Sequence, residues 1–370
     1  MNFLLIAAAG LLSLANGAND NFKGVATLWG AGRTSYRRAL AWATVFTFFG
    51  SLAAVWAARG LTAKFNGSNL VSREIFTQAP FLAAMALAAA GTVLLASRLG
   101  LPISTTHALT GALVGASVAA AGFAQVKFAA LASGVVLPLL FSPVAALVLT
   151  LAVCPLSRRL AASPDCVCVD EPKAVAIAAA GPLLSGGVSF SAVVSTPLIV
   201  RMAPMSECNT ESETVRLSIS DSLHWLSGAA ISFARGLNDT PKIAAVLLVA
   251  PAAWAADSRV NYLLVALAIA AGGLLGAARV ARTMSQKITP MAAPEAVGAN
   301  LVAATLVTLA SLLALPVSTT HVTSGGLFGI GLLRRKEANW HQVRDIVLSW
   351  PGTLPLGAAL ACGFYWLLKR

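Results

Sequence analysis

The stretch Gly17-Ala18-Asn19-Asp20-Asn21-Phe22-Lys23 decides how this chain folds. It ends an apolar run that begins at Phe3, so an aspartate and a lysine three residues apart stand inside a strongly hydrophobic segment. A charged side chain at the centre of a membrane helix costs about 2.5–3.5 kcal/mol on insertion scales, so such residues are rare and usually functional. Asp20 and Lys23 therefore mark a candidate functional site.

The same polar stretch returns in the second half of the chain, as Gly236-Leu237-Asn238-Asp239-Thr240-Pro241-Lys242. A second motif is duplicated as well, because Leu101-Pro102-Ile103-Ser104-Thr105-Thr106-His107 is matched by Leu315-Pro316-Val317-Ser318-Thr319-Thr320-His321. The motifs follow in the same order, with an Asp-to-Ser separation of 84 residues (20 to 104) in one half and 79 (239 to 318) in the other. Four matched polar motifs in an apolar chain indicate an internal repeat.

The composition is that of a membrane protein. Of the 370 residues, 57% are hydrophobic and 11% are charged, the mean hydropathy is +0.78, and soluble domains carry about 25% charged residues. The net charge of +12 arises mostly between the apolar runs, as in cytoplasmic loops that face anionic lipid, and no basic stripe with interleaved aromatic residues indicates nucleic-acid binding. We expect a multi-pass protein of a cell membrane, with the cytoplasmic membrane of a bacterium as the setting.

About twelve apolar segments follow one another along the chain, and some are too short or too polar to cross a bilayer, which needs about 20 apolar residues. One of them, residues 174–200, lies between polar linkers at 155–173 and 203–217 and has no counterpart in the other half. This predicts a first transmembrane repeat (1–153), a connector with polar linkers and one apolar segment (154–217), and a second transmembrane repeat (218–370).

The loop charges favour repeats of opposite orientation. The loop after the first motif helix is basic (Arg33, Arg37 and Arg38), whereas the equivalent loop of the second half holds only Asp257 and Arg259. The positive-inside rule would produce this difference if the repeats were inverted and the N-terminus lay outside. The predicted fold class is an all-α polytopic membrane protein with two inverted repeats, re-entrant helical hairpins after Leu101 and Leu315, and broken helices at the midplane.

The two Ser-Thr-Thr clusters are typical of helix starts, where the first N–H groups have no internal partner. Such starts bind anions through free N–H groups, hydroxyl donors and the positive end of the helix dipole. The alternative is that the hydroxyls only bond to their own or a neighbouring helix. Two matched copies favour an oxyanion site formed by Ser104, Thr105, Thr106, Ser318, Thr319 and Thr320.

The two Asn-Asp motifs permit a structural and a functional interpretation. An aspartate and a lysine three residues apart share one helical face, so each pair could be a buried ion pair that only fixes packing. In the functional interpretation Lys23 and Lys242 supply positive charge for an anion. Hard oxygen ligands for a small cation such as sodium, or carboxylates that carry a proton, would come from Asn19, Asp20, Asn238 and Asp239. Gly17, Gly236 and Pro241 would allow a break in each helix that exposes carbonyl groups to a cation.

The remaining polar residues carry weaker signals. His107 and His321 are predicted to pack or hydrogen-bond between helices, with proton handling as the alternative. Cys166 and Cys168 have no partner at zinc-site spacing, so reduced thiols in a loop are expected and their role stays open. No G-x-S-x-G context is present, and duplication does not suit a single nucleophile, so we expect no enzyme.

At these motifs the chain resembles the PiT family of inorganic phosphate transporters, whose hallmark is a duplicated GAND-type signature, one copy in each half. The similarity runs through both repeats and leaves out only the connector. The resemblance implies symport of inorganic phosphate with sodium or protons by two inverted repeats, each with a helical hairpin that dips into the membrane. It also implies cation-related roles for the two Asn-Asp pairs and oxyanion binding by the two Ser-Thr-Thr clusters.

One departure from the family signature concerns the coupling ion. The signature usually continues with a small residue and a second asparagine, but Lys23 and Lys242 stand near that position in this chain. We hypothesise that these lysines replace at least one bound sodium and shift coupling toward protons. No cofactor is expected other than a bound sodium ion.

The sequence leaves several alternatives open. Sulfate or another oxyanion such as arsenate could be the substrate, although carboxylate acceptors at Asp20 and Asp239 favour phosphate, which still carries a proton at neutral pH. A passive anion channel built on paired half-helices and a transporter-like sensor are rivals from other classes. The expected partners are the anion, the coupling cation and the lipid bilayer, and a homodimer is one alternative for the oligomeric state.

Overall fold

The structure, a computed structural model, describes residues 2–160, 166–170, 174–178, 191–195, 199–203, 215–248 and 258–370. The chain divides into two compact units, one formed by Met1–Ser157 with His224–Arg370 and the other by Arg158–Leu223. All four motifs found in the sequence lie in the first unit.

Helices build the first unit. Their bounds are α1 (Asn2–Asp20), α2 (Ala26–Gly30), α3 (Tyr36–Ala57), α4 (Arg59–Phe65), α5 (Arg73–Phe76), α6 (Ala79–Leu99), α7 (Thr105–Ala121), α8 (Phe128–Leu131), α9 (Leu137–Leu160), α10 (Ile219–Leu248), α11 (Ser258–Gly276), α12 (Ala278–Arg282), α13 (Ala293–Leu312), α14 (Thr319–Leu333) and α15 (Trp340–Lys369). A 3₁₀ turn at Lys23–Val25 joins α1 to α2, another occurs at Phe123–Gln125, and π-helical turns occur at Ala132–Val136 and Thr283–Lys287.

Seven helical segments of the described residues are long and apolar enough to cross a membrane. They are Phe3–Gly30, Tyr36–Ala57, Ala79–Leu99, Phe128–Arg159, Ser258–Gly276, Ala293–Leu312 and Trp340–Lys369. Large hydrophobic side chains such as Phe49, Leu275 and Trp366 are exposed on these segments, as expected of a surface in contact with lipid. The prediction of a multi-pass helical membrane protein is confirmed.

The apolar pattern of the sequence overestimates the number of candidate crossings. Two of the apolar segments of the sequence, residues 219–234 and 241–256, lie in a single helix, α10, up to Leu248, and residues 249–257 lie outside the described part of the chain. The apolar segment 174–200 is not a helix where the structure describes it, because Ala174–Ala178 and Ser191–Ser195 are β-strands. Pro182 and Pro197 disfavour a helix through this segment, and β-branched residues such as Val175, Ile177 and Val193 favour strands.

The broken helices are present in only one half. In the first half α1 ends at Asp20 and a 3₁₀ turn begins at Lys23, but in the second half α10 runs through Asp239 and Pro241 without interruption. The glycines of the two motifs serve a different purpose from the one predicted, since they allow close helix crossing. A Cβ atom on Gly17 would lie 2.0 Å from the backbone oxygen of Ile269, and one on Gly236 would lie 2.1 Å from that of Thr47.

These close approaches pair helices from different halves. Gly17 brings α1 against α11, which follows the second motif, and Gly236 brings α10 against α3, which follows the first. Each motif helix thus packs on the helix that belongs to the other copy. This exchange places Asp20 and Asp239 in the same core.

The Ser-Thr-Thr clusters begin helices, as predicted. Helix α7 has Ser104 as its N-cap and α14 has Ser318, and each hydroxyl accepts the N–H of the histidine three residues later, at 3.1 and 3.2 Å. With 17 and 15 residues, these helices are shorter than a full crossing requires. Each packs against the long helix before it, α6 or α13, to form a helical hairpin. That the hairpins are re-entrant in the membrane stays a prediction.

Between the end of α9 and the start of α10, the described residues of the second unit form short antiparallel strands: β1 (Cys166–Asp170), β2 (Ala174–Ala178), β3 (Ser191–Ser195), β4 (Ile199–Ala203) and β5 (Val215–Ser218). One sheet has the strand order β4-β1-β5, and β2 pairs with β3 in the other. Cys168 lies opposite Arg201 and Arg216 in the register of the first sheet. The cysteine pair therefore lies on a strand, which corrects the prediction of a loop.

Candidate functional site

Lys23 lies at the centre of a cluster of oxygen atoms drawn from both repeats. Its ammonium group pairs with the Asp20 carboxylate and donates to Asn19 Oδ1 at 2.8 Å. It also donates to the Ile103 carbonyl at 2.9 Å and to Thr320 Oγ1 at 2.6 Å. Lys23 is thus held by its own motif, by the start of α7 and by the Ser-Thr-Thr cluster of the other repeat.

Lys242 repeats this arrangement with the two halves exchanged. Its Nζ lies 3.4 Å from Asp239 Oδ1, 2.7 Å from the Val317 carbonyl and 2.8 Å from Thr106 Oγ1. Val317 is the counterpart of Ile103, and Thr106 is the counterpart of Thr320. Each lysine therefore donates to a threonine of the opposite repeat, so the two motif types meet as pairs across the chain.

The two aspartates are bridged by a single amide group. Asn16 Nδ2 lies 2.8 Å from Asp20 Oδ2 and 3.4 Å from Asp239 Oδ2. Thr105 donates to Asp20 Oδ2 at 2.8 Å, and Thr319 lies 3.4 Å from Asp239 Oδ2. The four motifs thus converge on one polar centre.

The two asparagines of the motifs hold the hairpins against this centre. Asn19 Nδ2 donates to Ser97 Oγ at 3.0 Å and to the Leu101 carbonyl at 3.1 Å. Asn238 Nδ2 lies 3.2 Å from the Val317 carbonyl, and Ser311 Oγ lies 3.3 Å from Asn238 Oδ1. Ser97 and Ser311 occupy matching positions near the ends of α6 and α13. Both stand at the same spacing before the Ser-Thr-Thr cluster that follows, so the sequence already contained a signal for them.

All twelve residues predicted to form the site for the anion and its coupling cation are buried, with none more than 4% exposed. They are Asn19, Asp20, Lys23, Ser104, Thr105, Thr106, Asn238, Asp239, Lys242, Ser318, Thr319 and Thr320. Ten of them take part in the contacts around the aspartates and lysines, while the oxygens of Ser104 and Ser318 accept the capping bonds at the starts of α7 and α14. The structure thus brings the predicted set together.

A third buried cation, Arg235, was missed in the sequence. Its guanidinium lies 3.8 Å from Asp239 Oδ2, 3.4 Å from Asn16 Oδ1 and 3.0 Å from Asn21 Oδ1. The signal was an arginine directly before Gly236, at the end of the mainly apolar stretch 228–234 of α10. Its counterpart in the first half is the neutral Asn16. With Lys23, Lys242 and Arg235 against Asp20 and Asp239, these five side chains carry a formal net charge of +1 when all are ionised.

The two histidines after the Ser-Thr-Thr clusters lie beside one another. The rings of His107 and His321 are 4.4 Å apart between centroids and nearly perpendicular, and His321 also packs on Trp350 at 3.9 Å. His107 Nδ1 lies 3.2 Å from the Trp350 carbonyl and His321 Nδ1 lies 3.4 Å from the Leu139 carbonyl. These contacts fit helix packing and hydrogen bonding, and they join the first turns of α7 and α14.

The residues predicted to hold sodium have oxygen atoms of the appropriate kind. Around Lys23 Nζ these are a carboxamide oxygen, a carboxylate, a carbonyl and a hydroxyl, which are hard ligands suited to a small cation. In this arrangement the ammonium itself occupies the centre of the cluster, so a cation could bind there only if the lysine moved away. Sodium at Asn19, Asp20, Asn238 and Asp239 stays a prediction.

The fold and the site define a class of protein: a polytopic helical membrane protein whose two halves converge on a buried, charged centre suited to an anion. Within this class, the chain belongs to the phosphate transporter family, which it matches over residues 16–361. The resemblance seen in the motifs is confirmed, and the chain is a phosphate transporter of this family.

Three similar proteins illustrate the relationship. The chain is 25% identical to the "Probable low-affinity inorganic phosphate transporter" of Bacillus subtilis, over 100% of this chain and 97% of the relative. It is 28% identical to "Inorganic phosphate transporter 2-1, chloroplastic" of Arabidopsis thaliana, over 96% of this chain and 70% of the relative. A solved structure of a protein named "The sodium-dependent phosphate transporter" is similar in fold, with a TM-score of 0.73, 21% identity and coverage of 100% of this chain and 98% of the other.

Proposed function

We propose that this chain is a secondary active transporter that binds a single inorganic phosphate ion between its two repeats, using the twelve buried residues of the motifs together with Arg235. The observation that carries this proposal is the exchange of hydrogen bonds at the centre, where Lys23 donates to Thr320 and Lys242 donates to Thr106. Each lysine depends on the opposite repeat, so an anion held by both lysines would connect the two halves of the molecule. Transport rather than catalysis is the activity that this arrangement serves.

The charge of the centre suits an anion. Three cations oppose two carboxylates, and the positive ends of the α7 and α14 dipoles add to the attraction. The cavity that touches Lys23 has a volume of about 10 Å³, enough for about one water molecule. Phosphate binding therefore requires the lysines to turn from the aspartates toward the anion, which would couple substrate binding to a rearrangement of both repeats.

The carboxylates favour phosphate over sulfate. A site made only of donors would bind either anion, but Asp20 and Asp239 can accept a hydrogen bond from the proton that phosphate keeps at neutral pH. Uptake of radiolabelled phosphate should resist a tenfold excess of sulfate. Competition at equal concentration, together with uptake of radiolabelled sulfate, would instead make sulfate a substrate.

For coupling, we propose that the two ammonium groups are cations, attached to the protein, at positions where a transported cation could otherwise bind. The oxygen cluster around Lys23 supports this assignment, since it resembles the ligand set of a small metal cation. Phosphate uptake would then respond to a pH gradient. The protein of similar fold is named as sodium-dependent, so the two coupling ions must be compared directly.

The repeats are proposed to be inverted. The difference in charge between the halves supports this, because three arginines follow the first motif helix, whereas Asp257 and Arg259 stand at the equivalent place in the second half. Labelling of single cysteines from each side of the membrane tests it: residues 31–35 and residues 249–257 should be reached from opposite sides. A homodimer stays a prediction.

Uptake into proteoliposomes tests the function itself. We expect saturable phosphate accumulation that collapses with a protonophore and persists when sodium is replaced by choline. Strict sodium dependence without a response to pH would overturn the coupling proposal but leave phosphate transport intact. A linear, non-saturating flux would favour the passive channel, and the absence of phosphate movement would overturn the proposed function.

A further inference from the structure

A small cavity extends from Lys23 away from the aspartates. Its polar lining comes from Lys23, Thr27 on α2, Asn300 on α13 and Thr323 on α14. Its volume of about 10 Å³ accommodates about one water molecule, and water needs the polar partners that these side chains offer. The cavity is therefore the first step of a polar route out of the site.

Hydrogen bonds continue the route beyond the cavity. Asn300 Nδ2 lies 3.0 Å from Thr27 Oγ1 and 3.2 Å from Ser227 Oγ, and His224 Nε2 lies 3.0 Å from Thr27 Oγ1. His224 is fully buried, and its second ring nitrogen, Nδ1, has no hydrogen-bond partner among the residues that the structure describes. A buried, unpaired ring nitrogen at the end of such a chain is a position where water binds.

The route ends near the surface. Gly30, one helical turn after Thr27, lines a surface depression of about 520 Å³ together with Ser285, Lys287, Thr289 and Glu337. The exposed residues Arg33, Arg37 and Arg38 follow Gly30, the first in the loop and the other two in the first turn of α3. Polar groups thus extend from Lys23 toward the face of the molecule that carries this basic loop.

The matching positions of the other half are apolar. Counted from the motifs, Thr27 corresponds to Val246, Asn300 to Ala86, and Thr323 to Leu109. In the same way Ser227 corresponds to Ala8 and His224 to Leu5. All five counterparts are fully buried in one hydrophobic cluster. The duplicated fold therefore does not require polar residues at these five positions, because the other half forms the same fold with apolar residues there.

We propose that Thr27, Asn300, Ser227 and His224 line a water-filled route between the lysine site and the face with the Arg33 loop, and that phosphate passes along it. The proposal rests on the proposed function for the identity of the ion, but the presence of water in the route is independent of it. The apolar cluster around Leu5, Ala86 and Val246 closes the opposite side in this conformation.

Cysteine labelling tests the route in the full chain. In a background with the five native cysteines replaced, Asn300→Cys and Ala86→Cys occupy matched positions of the two halves. The reagent, a small, charged methanethiosulfonate, is applied from the side of the membrane that the Arg33 loop faces. We expect it to label Asn300→Cys at least tenfold faster than Ala86→Cys. Equal labelling, or no labelling of Asn300→Cys, would overturn the proposal.

A transport measurement separates the route from the binding site. Thr27→Val and His224→Leu remove polar groups with little change in volume, and Thr92→Val is the control, because the Thr92 hydroxyl bonds only to its own helix at the Ala88 carbonyl. We expect Thr27→Val and His224→Leu to lower the maximal uptake rate about tenfold with equilibrium phosphate binding within twofold of wild type, and Thr92→Val to leave both unchanged. Wild-type rates in Thr27→Val and His224→Leu would overturn the route.

If the unaltered protein moved no phosphate, the proposed function would fail, and the labelling comparison would still decide whether the route holds water.

Discussion

The centres of the two repeats are nearly alike, whereas the regions that flank them differ. At the centre Lys23 and Lys242 have corresponding partners: an aspartate, a backbone carbonyl and a threonine of the other half. In the flanks, Thr27 and Asn300 line a cavity with Lys23, while the matching positions of the other half hold Val246 and Ala86, which are buried in a hydrophobic cluster. A shared ion requires equivalent donors from both halves, but access from one side at a time requires that the flanks be unequal.

Removal of either lysine should have the largest effect and should show whether the centres are equivalent. We expect Lys23→Met and Lys242→Met each to lower phosphate uptake at least 100-fold, or about 2.7 kcal/mol, because the anion loses a charged donor and faces an uncompensated aspartate. Uptake into proteoliposomes measures this, and Lys127→Met, at an exposed position, should behave as wild type.

Because a broken buried ion pair can also unfold a protein, the double variant Asp20→Asn with Lys23→Met serves as a folding control. It should elute as a folded protein on size exclusion yet remain inactive. Full uptake by Lys23→Met with loss in Lys242→Met would show that the repeats are not equivalent.

The helix crossings should be the next most sensitive feature. Gly17→Ala and Gly236→Ala would each bring a Cβ within 2.1 Å of a backbone oxygen of the partner helix, so we expect a loss of stability of about 1–3 kcal/mol in both. Thermal unfolding in detergent measures the change. Gly10→Ala on the same helix as Gly17 has no atom within 4 Å of the new Cβ and should retain the wild-type midpoint. Equal midpoints for all three variants would contradict the packing of α1 on α11 and of α10 on α3.

Arg235 is the one charged difference between the two centres, since the matching residue is Asn16. Arg235→Gln lowers the formal charge of the cluster by one, and we expect phosphate affinity to fall about tenfold, or about 1.4 kcal/mol. Arg235→Lys keeps the charge and should recover most of the affinity. Isothermal titration with phosphate measures both variants, and an unchanged affinity in Arg235→Gln would remove this residue from the proposed site.

Substitution of the two threonines that accept hydrogen bonds from the lysines should have the smallest effects, and the two effects should be nearly equal. We expect Thr106→Val and Thr320→Val each to weaken phosphate binding by about 0.5–1.5 kcal/mol, the usual contribution of one hydrogen bond. Thr110→Val is the control, because the Thr110 hydroxyl bonds only to the Thr106 carbonyl of its own helix. A large effect in one threonine and none in the other would mean that a single repeat holds the ion.

Much of the centre could be predicted because its residues break the local pattern of the sequence. Asp20, Lys23 and their copies are charged groups in apolar helices, and Ser104 and Ser318 follow a Leu-Pro pair at helix starts. A charged residue is costly to bury in an apolar helix, so it stands out in the sequence as a candidate functional residue. Its duplication in the second half then favours the functional interpretation over the structural one.

The residues that could not be predicted lack such a contrast. Thr27 and Asn300 carry no charge and have no polar counterpart in the other half, so only their spatial neighbours, which belong to other helices, give them a role. The purpose of Gly17 depends likewise on α11, far away in sequence, so the local pattern alone suggests a helix break. The strands at 174–178 and 191–195 were missed because a short apolar run gives the same signal in a strand as in a helix.

The number of phosphate ions bound per chain tests the shared site most directly. Titration of the purified protein in nanodiscs should give one phosphate per chain, and Lys23→Met or Lys242→Met alone should abolish that binding. Two phosphates per chain, or one phosphate retained with either lysine removed, would show that the repeats act separately and would contradict a site shared between them.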